Sequence, residues 1–70
     1  KLTVCPIING EDHLRLLNFQ HNFITRIQNI SNLQKLISLD LYDNQIEEIS
    51  GLSTLRCLRV LLLGKNRYSL

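Results

Sequence analysis

The sequence has no tryptophan, no methionine, a single proline and only two cysteines in 70 residues. Cys5 and Cys57 stand 52 positions apart, which is neither a metal-ligand nor a redox spacing. More than two repeats would separate them, so both are expected to be free thiols, as in a reducing compartment. Long hydrophobic runs are absent too. The longest, Val60 to Leu63, has four residues, far short of the ~20 that a membrane-spanning helix needs. Charge of one sign is scarce: eight Lys and Arg against six Asp and Glu leave a net +2. No basic run interleaved with aromatics marks a nucleic-acid surface, so neither nucleic acid nor membrane is expected as a partner. The chain opens with neither an initiator Met nor a signal-peptide pattern, as expected of a piece cut from something longer. Its one sequon, Asn29-Ile30-Ser31, matters only in a secreted protein. What remains is rich in Leu and Ile. The 44% hydrophobic content is that of a globular chain, and one this short buries only ~60% of its unfolded surface.

A shift of 22 brings the chain into register with itself. Leu14, Leu36 and Leu58 open successive units; Leu17, Leu39 and Leu61 follow, then Phe19, Leu41 and Leu63, then Asn22, Asn44 and Asn66. Beyond the Asn, Ile24 matches Ile46, Ile27 matches Ile49, Ile30 matches Leu52 and Leu33 matches Leu55. The units are 14–35, 36–57 and a truncated 58–70. Residues 1–13 form a degenerate half-repeat or cap, partly in phase through Leu2, Cys5 and Ile8. Glu11 breaks that phase, and Asn9-Gly10 marks a turn.

Within a unit the period changes. Alternation around Leu17 and Phe19 predicts a strand with one buried face. Apolar residues at every third place after the Asn predict tight turns or short 3₁₀ pieces, with Ser31 and Gln34 placed to cap a helical turn. Parallel strands at ~4.8 Å per repeat cannot be matched by a wider second half, so the stack should curve with its strands on the concave side. The expected fold is an α/β solenoid, a fragment of a right-handed superhelix with a 3₁₀ or turn convex side. Asn22, Asn44 and Asn66 sit where strand gives way to convex half. There an amide can satisfy backbone groups that the bend leaves unpaired, so these residues are structural.

The pattern L-x-x-L-x-L-x-x-N, with Ile-x-x-Ile-x-x-Leu-x-x-Leu behind it, resembles the leucine-rich repeats of the intracellular 22-residue class, typified by a regulatory subunit of a type-one protein phosphatase. The resemblance covers residues 14–66 well and 1–13 loosely, and departs at Tyr68, where Ile is predicted. It implies non-catalytic adaptors that bind other proteins. The runs LRLLNFQHN and LDLYDNQIEEISGLSTLRCLRVLLLGKN are also similar to scaffold subunits of tubulin-modifying complexes. That likeness implies a cytoplasmic location on the cytoskeleton, at the cilium or centrosome.

Strand residues outside the core should line the concave face. In columns they are Leu16, Ser38 and Val60; Asn18, Asp40 and Leu62; Gln20, Tyr42 and Gly64; His21, Asp43 and Lys65. A partner site centred on Tyr42 is expected there, with Gln20 and Gly64 leaving room on both sides of its ring. Two sharper readings are weighed against this. His21 and Asp43 share a column, as a hydrolase pair would, but a nucleophile must also be in reach; Ser38 is in another column and Cys57 in the other half. A metal held by His21, Asp40 and Asp43 is the second, and no cofactor is expected. The bland alternative is a structural segment of a longer solenoid that binds nothing itself. Arg26, Glu47, Glu48 and Arg56 should be solvated convex residues. Acids gather in the second unit, at Asp40, Asp43, Glu47 and Glu48, and cations follow at Arg56, Arg59, Lys65 and Arg67. The last strand lacks a following half-unit, so the C-terminal edge should self-associate or be covered by a partner.

Overall fold

The computed structural model describes residues 1–10 and 12–67. Strands form where the alternation falls: β1 is Leu16–Asn18, β2 Ser38–Asp40 and β3 Val60–Leu62. They pair in parallel in the order β1-β2-β3. Leu17 faces Leu39 and Leu39 faces Leu61, so the strand register is the sequence repeat of 22. The ladder runs past the strand ends, with the Phe19 and His21 amides donating to Asp40 and Tyr42 carbonyls and those of Leu41 and Asp43 donating to Leu62 and Gly64.

Each turn of chain buries its apolar residues against the next. Ile24, Ile30, Leu36, Leu39, Leu41 and Ile46 are fully buried, and Cys5, Phe19, Ile27, Leu33 and Leu55 complete the core. The middle turn is covered on both sides. Ile49 is 41% exposed where its counterpart Ile27 is 5% exposed, because no described turn stacks on its far side.

In the second half of each unit the structure takes the turn alternative and not the 3₁₀ one. No α-helix and no 3₁₀ helix occurs among the described residues. Instead the Leu33 amide donates to the Ile30 carbonyl at 3.0 Å and the Leu36 amide to the Leu33 carbonyl at 3.1 Å; the Leu55 and Leu58 amides repeat the pattern 22 residues later. A 3₁₀ helix would need such a bond at every residue. Here one falls at every third, so each apolar residue closes one turn and opens the next. Ser31 lies in the turn over 30–33 and Gln34 in the turn over 33–36, so the two do not cap a helix. An isolated parallel bridge joins Arg26 to Glu48. No helix among the described residues is long and apolar enough to cross a membrane. Glu11 and the sequence from Tyr68 onward, where the repeat was expected to break, lie outside the described residues.

Candidate functional site

The chain leaves each strand over an asparagine. Asn44 Nδ2 donates to the carbonyls of Leu41 (3.1 Å) and Tyr42 (3.3 Å) in its own turn and of Phe19 (3.0 Å) in the preceding one, while its Oδ1 accepts from the Ile24 amide at 3.0 Å. Asn66 repeats this on Leu41, Leu63, Gly64 and the Ile46 amide. Asn22 bonds Phe19, Gln20 and the Leu2 amide. Asn44 is buried; the other two are half-buried. The ladder ties turn to turn and fixes what the sheet presents outward.

On the outer face of the sheet Leu16 is 70% exposed, Val60 43% and Leu62 46%. Ser38 and Asp40 are half-buried between them, and Asn18 is exposed. Asn18 Oδ1 accepts from the Gln20 amide at 2.9 Å and Asp40 Oδ1 from the Tyr42 amide at 3.0 Å. Short polar side chains thus hold the bend in the first two units, while Leu62 holds the same position in the third.

The next column takes a left-handed backbone: His21, Asp43 and Lys65 have φ of 59°, 57° and 53°. His21 Nδ1 lies 2.8 Å from Asp43 Oδ2, both side chains about half exposed. An ionised carboxylate only accepts, so Nδ1 carries the proton. This hydrogen bond, above all, holds the Asp43 carboxyl below the ordinary carboxylate range; desolvation opposes it, and the charges of His21, Lys65 and Lys1 assist. Asp43 therefore sits between His21 and Lys65 as a surface row. Neither Ser38 nor Cys57 hydrogen-bonds His21 among the described residues. No group of three His, Cys, Asp or Glu placed to hold a metal occurs among the described residues.

Tyr42 requires a correction. Its ring is half-buried and occupies the space above Gly64, where a Cβ would come within 2.9 Å of Cε1 and 3.0 Å of Cδ1. The His21 ring meets it edge-on at 5.8 Å and the Lys65 ammonium stands 5.9 Å from its centroid. The room expected beside the ring is filled by the ring itself, and part of Tyr42 is spent on its neighbours. Gln20 is exposed, as are Arg26, Glu47, Glu48 and Arg56 on the other side. Cys5 and Cys57 are both free; Cys5 is buried, which pushes its thiol pKa up, and Cys57 is exposed.

Several residues tie the turns together without having been singled out by the repeat. Asn29 Nδ2 donates to the Cys5 carbonyl at 2.8 Å, Asn32 Nδ2 to Ile8 at 3.0 Å and Thr54 Oγ1 to Ser31 at 3.1 Å. Asn29 and Gly51, 22 apart, share a left-handed backbone with φ of 63° and 73°. Two residue types that tolerate that conformation, at the repeat spacing, were the available signal.

Comparison with known proteins places the chain. The family described as leucine rich repeats in two copies matches residues 12–54. Over 37 residues, 53% of this chain and 5% of the relative, it is 92% identical to leucine-rich repeat-containing protein 49 of Mus musculus. Over 59 residues, 80% of this chain and 9% of the relative, it is 41% identical to leucine-rich repeat and IQ domain-containing protein 3 of Mus musculus. The chain spans less than a tenth of either relative's length.

Proposed function

Because the chain belongs to the leucine-rich-repeat family, we infer that it is a non-catalytic module that binds another protein across the outer face of its sheet. Leucine-rich-repeat domains generally mediate such contacts. The observation that carries the reading is the apolar exposure of Leu16, Val60 and Leu62 around Ser38 and Asp40. Exposed apolar side chains with polar groups interspersed are what a partner's hydrophobic anchors take up.

A finer reading rests on the likeness of the run Leu14 to Asn66 to the leucine-rich-repeat subunit of the tubulin polyglutamylase complex. The module then acts as a scaffold in the cytoplasm, on microtubules of the cilium or centrosome. Asp40 and Asp43 make the sheet side a poor match for an acidic tubulin tail, so the contact is with another subunit.

A photo-crosslinking residue at Ser38, and in a second protein at Glu47, tests the face in cells. The expected result is one adduct from Ser38, lost when Leu62→Asp is added, and none from Glu47. An adduct from Glu47 alone contradicts the assignment. For the finer reading, the purified adduct should contain polyglutamylase subunits and activity; an adduct without them refutes that reading and leaves the coarser one standing.

A further inference from the structure

The turns that lead into β2 and β3 enclose an open groove of about 620 Å³, lined by Gln34, Lys35, Ser53, Thr54, Arg56 and Cys57. None of these residues belongs to the sheet. Its chemistry is one-sided. An ammonium and a guanidinium line it with an amide and two hydroxyls, and no carboxylate does. The one ion pair among the described residues is His21 with Asp43, so neither Lys35 nor Arg56 is paired with a described carboxylate. Thr54 already donates to the Ser31 carbonyl, which leaves the two cations, Gln34 and Ser53 to meet a ligand.

We propose that this groove binds a phosphorylated peptide segment, its phosphoryl group held between Lys35 and Arg56. A phosphoryl dianion matches two cations in charge. The guanidinium fork takes two of its oxygens and the ammonium supplies a point charge beside them. The groove is open to solvent, so a phosphorylated side chain can enter it while the residues on either side of that side chain lie along its walls. The site is separate from the sheet face, so the module would hold two partners, or two parts of one.

Cys57 supplies a local reporter. It is exposed in the groove while Cys5 is buried, so a thiol reagent applied to the native protein reads Cys57. The experiment measures alkylation of Cys57 in the purified protein with four additions: a phosphoserine peptide of mixed flanking sequence, the same peptide unphosphorylated, the same peptide with glutamate in place of phosphoserine, and inorganic phosphate. The phosphoserine peptide should slow alkylation, and the other three should not at equal concentration. Lys35→Ala with Arg56→Ala should weaken the peptide about tenfold or more without moving the melting temperature, while Leu62→Asp on the sheet face leaves it bound. Unchanged alkylation with the phosphopeptide overturns the proposal. So does equal protection by inorganic phosphate or by the glutamate peptide, or protection that survives the double substitution.

Discussion

Asn44 uses both amide hydrogens and its oxygen on the main chain of two successive turns. Removing that amide leaves buried carbonyls and an amide without partners. Asn44→Ala is expected to cost ~1–3 kcal/mol in denaturant unfolding, against less than ~1 kcal/mol for Asn18→Ala, whose bond to the Gln20 amide is exposed. Gly51 offers the opposite sign. It repeats the left-handed backbone of Asn29 and its Cβ position lies 3.4 Å from the Ile27 carbonyl. An asparagine there would reach Ile27 as Asn29 reaches Cys5, so Gly51→Asn should stabilise by ~0.5–1 kcal/mol. Gly51→Val, β-branched in the same conformation, should destabilise. Asp43 is tested by pH. Its carboxyl pKa is lowered in the fold, so its contribution to stability is present above the unfolded value of ~3.9 and is lost as pH falls through the folded one. NMR titration should find the Asp43 midpoint below the ordinary value, and His21→Ala should return it upward.

At the scale of elements, the segments that leave β2 and β3 meet through a ring over a glycine, beyond the hydrogen bonds between them. Gly64→Ala would push a methyl to within 3.0 Å of the Tyr42 ring, so the ring must swing away from Gly64. Gly64→Ala should therefore destabilise the native protein, yet cost little once Tyr42→Ala has removed the ring; equal cost in both backgrounds would contradict the contact. This pairing was only half legible. Tyr42 and Gly64 fall in one column by counting, but alternation says which face a side chain leaves from and not which neighbour it lies on. The strands themselves were legible because Leu17, Phe19 and their counterparts alternate through short runs with a single buried face. The turns were legible in their period and not in their class. Apolar residues three apart fit a 3₁₀ helix and a series of separate turns alike, and only the hydrogen bonds from Leu33, Leu36, Leu55 and Leu58 distinguish the two.

For the whole molecule, one distance of 22 residues sets the strand register, the asparagine ladder and the left-handed column of His21, Asp43 and Lys65. Repetition of that kind survives in sequence because each turn buries its side chains only against its neighbours. The left-handed column was not legible, because His, Asp and Lys share no side-chain pattern and the conformation belongs to the bend they occupy. Nor was the groove at Lys35 and Arg56, whose residues fall in no repeated column of like charge. The outer sheet residues were found by alternation alone, though their exposure concentrates on the edge strands, at Leu16, Val60 and Leu62. Whether that face carries the binding is directly measurable. With the partner captured at Ser38, calorimetry should compare Kd for Leu16→Asp and Leu62→Asp with Kd for Arg26→Ala and Glu47→Ala. The sheet-face pair is predicted to weaken binding tenfold or more, about the cost of losing a hot-spot contact, with the other pair unchanged; a loss confined to Arg26→Ala and Glu47→Ala would contradict the account.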